Sequence, residues 1–447
     1  MKTAIIGAGY RGRTILGLLR GMPFFELIAA ADPRFAGSPV KNSQKRQIPQ
    51  AFGEGGPSKS AENAGAPSMA GTGTADPFEG LRLYSDGPED YRRMLAEERP
   101  ELVFICSPWN CHIPQALDCL KAGCHVALEI RGGRELGEYQ PLMGFPGKVF
   151  PLENIIFRRD ILAVREMVRA GLFGEIVSMR GGYRHDLRDE LVDAAGVLGG
   201  DAAPVARSAA PGSPAAASTA AGSPISAAAP GLRERPSEAW RGRLYTSENA
   251  DIYPTHSIAP LCLIGDVHTL ANVTAFASKA AGLRERLGAG CPKITLGDIV
   301  STVARTSDGK LLTLTHDTTL PRPRSYGIEI QGTRGIWDED NHRIYIEGRS
   351  PFEQWEPDAG YIEEYLDPMW RRWGAEALAA DRHHGGMDYI MLRAIEEDLR
   401  GEGAAGQSGS PAPAFSYPAT LADLALWTSI TPLSAKSIAE GCTVELH

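Results

Sequence analysis

Hydrophobic and polar positions sort this chain into three kinds of segment. Short, largely apolar runs come first: Thr3-Ala4-Ile5-Ile6, Leu27-Ile28-Ala29-Ala30-Ala31, Leu102-Val103-Phe104-Ile105-Cys106 and His125-Val126-Ala127-Leu128-Glu129. Runs this short, separated by segments of helical character such as Pro88 to Glu98 and Pro114 to Ala122, predict buried parallel strands. Closed by Val149 to Asn154, the alternation predicts a doubly wound α/β domain over residues 1–150.

A second pattern follows. An amphipathic helix, Arg158 to Ala170, stops at Gly171, and Glu175 to Tyr183 reads as a strand. Strand candidates then recur at Ile299–Ala304, Leu311–His316, Ile328–Gln331 and Ile344–Ile346, and helices at Gly386–Arg400 and Leu421–Ala439 close the chain. Residues 151–447 are therefore expected to form an α+β domain on one large, mostly antiparallel sheet. The third kind of segment lacks any period. Residues 33–80, 194–236 and 401–414 are dominated by Gly, Ala, Ser and Pro and are expected to be flexible insertions that bury no core.

The first strand runs into Gly7-Ala8-Gly9-Tyr10-Arg11-Gly12, and Asp32 stands twenty positions past Gly12. Strand, glycine turn, helix, strand and acid make a dinucleotide fingerprint. Gly7 lets the chain turn sharply, Gly9 lets the backbone approach a pyrophosphate, Gly12 lets the helix pack close, and Asp32 is spaced to accept from an adenosine ribose. An acid there favours NAD over NADP, although Arg34 nearby keeps the phosphorylated cofactor open.

Composition narrows the picture from the outside. A 447-residue chain is expected to hold two cores, and a net charge of −9 argues against non-specific nucleic-acid binding. No apolar run approaches a membrane span, and the first strand begins too early to be a removable leader, so a cytoplasmic protein is expected. Seven scattered cysteines suggest neither a disulfide framework nor a metal site. Trp370 and Trp373 suit either a core or a contact between copies in a homo-oligomer.

Loops at strand ends face the ligand crevice in doubly wound sheets, which puts Trp109 and His112 toward the cofactor. For chemistry in the second half, the candidates are Glu153 with Asn154, Tyr183 with His185, Arg241, and Tyr253 with His256. Each has an ordinary explanation taken singly; together they gather at strand ends and helix starts, where sites are built.

Longer motifs add a resemblance. Residues Leu152-Glu153-Asn154, Gly181 to Arg188, Tyr253-Pro254-Thr255-His256, Leu314 to Pro323, Tyr345 to Gly348, His384 to Asp388 and Ile430 to Ser434 are similar to glycoside hydrolase family 109. That family groups NAD-dependent α-N-acetylgalactosaminidases, and the first domain resembles the wider Gfo/Idh/MocA oxidoreductases. The resemblance implies NAD contacts at Arg11, Gly12, Asp32, Trp109, His112, Glu129, Ile130 and Asn154. It implies sugar contacts at Tyr183, Arg241, Tyr253, Pro254, Thr255 and His256. It implies a small-molecule carbohydrate as partner and a cycle of C3 oxidation, C1–C2 elimination, water addition and re-reduction. In that cycle Tyr183, its phenol lowered by neighbouring positive charge, would be the C2 base, His256 would handle the C3 hydroxyl proton, and Glu153 would orient them or help the leaving group. The chain shows three departures: Ile130 stands where the Glu-Lys-Pro of sugar dehydrogenases has its lysine, which the hydrolase branch also lacks; Arg131 stands where that branch usually has proline; and Arg324 stands where a substrate-contacting tyrosine is expected, with Tyr326 two places on. A net sugar or cyclitol dehydrogenase and a non-catalytic NAD-binding regulator are the alternative readings.

Overall fold

The computed structural model describes residues 1–37, 77–133, 136–191, 198, 241–405 and 416–446. Most of the three expected insertions thus lies outside the described residues. Their edges do not. Pro33–Gly37 forms a 3-10 turn, and the helix Met387–Ala405 runs through the start of the segment expected to be a link from 401. Glu402, Ala404 and Ala405 are good helix formers, so a helix anchored by buried Ile390, Met391 and Ile395 continues into them.

The first sheet contains β1 (Lys2–Ile6), β2 (Glu26–Ala31), β3 (Arg82–Tyr84), β4 (Leu102–Ile105), β5 (His125–Leu128) and β6 (Val149–Pro151). All six are parallel, in the order β3-β2-β1-β4-β5-β6. Helices cover both faces of such a sheet, so every residue of β4 is buried, which is why its apolar run is unbroken. The order reverses between β1 and β4, and the crevice at that point is where a doubly wound sheet binds its ligand.

Two glycines make the crevice. Gly7 sits at φ +99°, and a Cβ there would stand 2.5 Å from the Cys106 carbonyl carbon. At Gly12 a Cβ would stand 2.0 Å from the Gly7 carbonyl oxygen. Gly12→Ala must therefore push the helix Tyr10–Leu19 away from β1. Overpacking of this kind costs about 1–3 kcal/mol, so NADH affinity, followed by its fluorescence, is expected to fall roughly ten- to hundredfold; unchanged affinity would show that the turn does not hold the cofactor.

The second sheet has nine strands: β7 (Ile176–Arg184), β8 (Leu270–Ala277), β9 (Ile299–Thr306), β10 (Leu311–Asp317), β11 (Glu329–Gly332), β12 (Gly335–Asp338), β13 (Arg343–Ile346), β14 (Glu356–Pro357) and β15 (Val444–Glu445). Their order is β14-β13-β12-β11-β7-β10-β9-β8-β15, and only β7 with β10 is parallel. β7 is central, and its register puts Tyr183 beside His316. Gly181, on the same strand, lets the helix Thr255–Gly265 come so close that a Cβ would stand 2.5 Å from the Ser257 carbonyl oxygen. That contact brings His256 to the end of β7.

Among the elements unforeseen in the sequence are β12 and the helix Pro368–Ala380. The helix answers one open question: Trp370 is buried, its indole N–H donating to the Phe157 carbonyl at 2.9 Å, and so belongs to the core. The helix after β4 begins at Trp109 and not at Pro114, which lies inside it.

Candidate active site

The helix Tyr10–Leu19 starts at Gly9 with no side-chain cap and no acid in its first turn. Its unpaired N–H groups therefore offer an anion site at the crevice. Asp32, just past β2, accepts from the Ala8 N–H at 2.5 Å and from the Arg34 N–H, Nε and Nη2 at 2.8, 2.9 and 2.6 Å. Burial would raise this carboxyl, but the Arg34 guanidinium and the Ala8 amide outweigh it and hold it below its ordinary value.

Other expected cofactor residues stand in the loops after the parallel strands. Trp109 donates from Nε1 to the Ile130 carbonyl at 3.0 Å. His112 is fully buried, with Nε2 2.7 Å from the Ser107 carbonyl and Nδ1 3.1 Å from that of Arg131; burial pushes its pKa down to about 4. Its ring thus ties the loop after β4 to the loop after β5. Glu129 accepts from Arg11 Nε at 2.6 Å, and burial still raises its carboxyl above the ordinary range. Asn154 donates to Asp388 Oδ1 at 2.8 Å, while its own Oδ1 is buried without a partner. The glycine cradle, the open helix N-terminus, Asp32 and this orphaned acceptor are what a dinucleotide requires.

Across the crevice lies an aromatic cluster. The Tyr253 ring stacks on Tyr183 at 4.4 Å and 28°, and the His256 ring is 5.5 Å from Tyr183 and 5.1 Å from Tyr253. Tyr326 closes the far side, 6.2 Å from His256. Trp109 reaches over from the first sheet to within 5.6 Å of Tyr253, and the Arg241 guanidinium lies 5.2 Å from both rings. Pro254 precedes the helix that Thr255 and His256 begin. His185 is 6.3 Å from Tyr183, edge-on, outside the stack.

Glu153 is fully buried, and its Oε1 meets His256 Nδ1 at 2.5 Å and accepts from the Ile155 N–H at 3.3 Å. Its Oε2 has no partner among the described residues. Burial, with Tyr253 beside it, pushes the Tyr183 phenol well above 10, against the opposing pull of Arg241 and Arg324. The expectation that neighbouring charge lowers this phenol is therefore not met by the protein's own groups, because desolvation outweighs the two guanidiniums.

Three residues carry weight that the sequence alone did not reveal. Asp388 receives Arg11 through two bonds, of 2.5 and 2.9 Å, besides Asn154 and His384 Nδ1 at 2.6 Å. Burial would raise its carboxyl, but Arg11 and His384 hold it well below the carboxylate range. His316 is buried next to Tyr183, neither ring nitrogen bonded among the described residues, and burial alone pushes its pKa down to about 3. Arg131 is buried too. It donates from Nη1 to the Ile252 carbonyl and the Thr431 hydroxyl at 3.1 and 2.9 Å and lies 4.8 Å over the Trp109 ring.

A dinucleotide cradle on a parallel sheet, facing a titratable aromatic cluster on an antiparallel one, defines an NAD-binding protein of the oxidoreductase type. Residues 1–130 match the oxidoreductase family's NAD-binding Rossmann fold, and residues 157–206 and 226–446 match the C-terminal domain of glycosyl hydrolase 109. The chain belongs to glycosyl hydrolase family 109, within the Gfo/Idh/MocA group, and its cofactor is NAD.

It is 34% identical, over 78% of its length and 73% of the relative's, to a glycosyl hydrolase family 109 protein of Stenotrophomonas maltophilia. It is 32% identical, over 81% of its length and 73% of the relative's, to an alpha-N-acetylgalactosaminidase of Tannerella forsythia. Among solved structures, levoglucosan dehydrogenase with NADH matches at a TM-score of 0.58 and 16% identity, covering 100% of this chain and 99% of that one. An oxidoreductase from Sinorhizobium meliloti matches at 0.61 and 14%, with coverage of 100% and 99%. These last two are likenesses of fold. No described helix is long and apolar enough to cross a membrane.

Proposed function

We propose that the protein is an NAD-dependent glycosidase that hydrolyses 2-acetamido glycosides, α-N-acetylgalactosaminides first among them, through transient oxidation at C3. The observation that carries this reading is the 2.5 Å pairing of His256 with buried Glu153 beside the Tyr183 stack. The relative named alpha-N-acetylgalactosaminidase supports the choice of sugar.

Held at the glycine turn and Asp32, NAD⁺ would supply the reversible two-electron oxidation at C3 and a positive charge on its oxidised ring. In our reading, His256 donates its Nδ1–H to Glu153, which fixes the tautomer and leaves Nε2 to accept the C3 hydroxyl proton. Once C3 is a ketone, the C2 proton is acidic and Tyr183 removes it. The C1 substituent then leaves with its bonding pair and takes up the proton that water gives off as its hydroxyl adds at C1, Tyr183 returns a proton to C2, and, as C3 is reduced again, His256 returns its own to the C3 oxygen. The net change is hydrolysis. No pair of carboxylates across the glycosidic bond is needed, unlike in ordinary glycosidases. Tyr183 serves as a base only where positive charge offsets its burial, and Arg241 and Arg324 are the groups of this chain that pull in that direction.

A net dehydrogenase reading is weaker at the position after Glu129. Ile130 is buried and apolar, and the Arg131 guanidinium is engaged by Ile252, Thr431 and Trp109. Neither supplies the proton-transfer group that a lysine would.

The test is to incubate the protein as purified, and again with saturating NAD⁺, with an aryl α-N-acetylgalactosaminide in deuterated buffer. Aglycone release with deuterium at C2 and no accumulating NADH is expected. Stoichiometric NADH without release would make the protein a dehydrogenase, and silence in both arms would make it a binding protein.

A further inference from the structure

Beyond the aromatic cluster, a cavity of about 420 Å³ opens beside Tyr326. Among the described residues its wall carries Arg158, Arg159, Arg324, His342, His383 and His384, against the carboxylate of Asp160. Two of the arginines and Asp160 are already matched. Arg158 is bound by Asp160 and Glu339, Arg159 by Glu363, and Asp160 also accepts from the Ile161 N–H at 2.9 Å.

Arg324 differs from them. Its guanidinium lies 5.3 Å from the Tyr326 ring centroid and donates to the Tyr326 hydroxyl, and no carboxylate pairs with it among the described residues. It stands on the wall shared by the cavity and the Tyr183 cluster, close enough for its charge to act on Tyr183 and Tyr253. A neutral tyrosine hydroxyl needs no full positive charge for its satisfaction. An unmatched guanidinium at the mouth of a site selects for an oxyanion, which it can bind through two parallel N–H groups.

We propose that this cavity is an anion subsite, in which Arg324 holds a sulfate ester or carboxylate carried by the substrate sugar. The proposal rests on the reading of a 2-acetamido sugar as substrate and narrows it to acidic members of that class. The cavity falls within the range of small-ligand pockets and has room for a charged substituent.

The test separates this proposal from the hydrolase reading by measuring binding. Calorimetric titration of the NAD-saturated protein with N-acetylgalactosamine, its 4- and 6-sulfates and N-acetylgalactosaminuronic acid compares neutral with charged sugars and sulfate with carboxylate. At least one charged sugar is expected to bind ten- to hundredfold more tightly than the neutral one, as a charge-assisted bidentate contact implies. In Arg324→Gln the charged and neutral affinities should converge, and Arg324→Lys should restore part of the gap. Equal affinities in the wild type, or a preference that survives Arg324→Gln, overturns the anion subsite. A charged-sugar preference in a protein that releases no aglycone leaves the subsite standing and removes the hydrolase reading; failure to bind any of these sugars counts against both.

Discussion

Tyr183→Phe removes deuterium exchange at C2 and lowers aglycone release about a thousandfold, while oxidation of the bound sugar persists. The size follows from the roughly 10²- to 10⁴-fold that a positioned general base contributes. Phenylalanine keeps the stack on Tyr253, whose rings lie 4.4 Å apart, and fills the same buried volume, so NADH affinity should be unchanged. Only the phenol is lost. His256 and Glu153 remain paired at 2.5 Å, so the C3 proton still has an acceptor and NADH appears in a single turnover. The pH profile gives a second readout. Burial raises the Tyr183 phenol, so the basic form gains population as pH rises, and wild-type release should climb on the alkaline side. That limb should vanish in the variant. Full C2 exchange in Tyr183→Phe would mean that another group is the base.

The two halves of this site were unequally legible in the sequence. Gly7, Gly9, Gly12 and Asp32 are read from spacing within thirty-two residues, because one strand, one turn and one helix fix their relations locally. The aromatic cluster was legible as residue types at strand ends, and the fold supplies the reason they meet: Gly181 admits the helix that carries His256. Pairings between distant segments left no such signal. Asp388 lies 377 positions from Arg11, in a His384 to Asp388 motif whose role nothing nearby in the chain suggests. His316 comes to Tyr183 only through the parallel register of β7 with β10, and Arg131, notable in sequence for what it replaces, serves as a brace under Trp109. The helix Pro368–Ala380 is a different case, since its start is written locally in the Asp367 cap and in Pro368 at its first turn.

Asp388→Ala is expected to cost about 3–5 kcal/mol of stability at neutral pH, the usual result of removing one partner from a buried ion pair. The carboxylate is fully buried and accepts from Arg11, Asn154 and His384, so its loss leaves the Arg11 guanidinium, itself largely buried, with Glu129 alone. Because Arg11 belongs to the glycine turn and Asp388 to the helix Met387–Ala405, the damage falls on the junction between the two sheets, and NADH affinity should fall with melting temperature. Removing all three charges tests the cause. Arg11→Met with Asp388→Leu and Glu129→Gln leaves no charge of this cluster of three buried and alone, and should melt above the single variant. The pH dependence has a fixed sign. Arg11 and His384 hold the folded Asp388 carboxyl well below its unfolded value of about 3.9, so its stabilisation is complete above that pH and is lost as pH falls through and below it. Melting curves of wild type and Asp388→Ala should therefore stand furthest apart near neutrality and converge in acid. A single variant that melts with the wild type at pH 7 would show that this ion pair does not hold the cofactor turn to the second half of the protein.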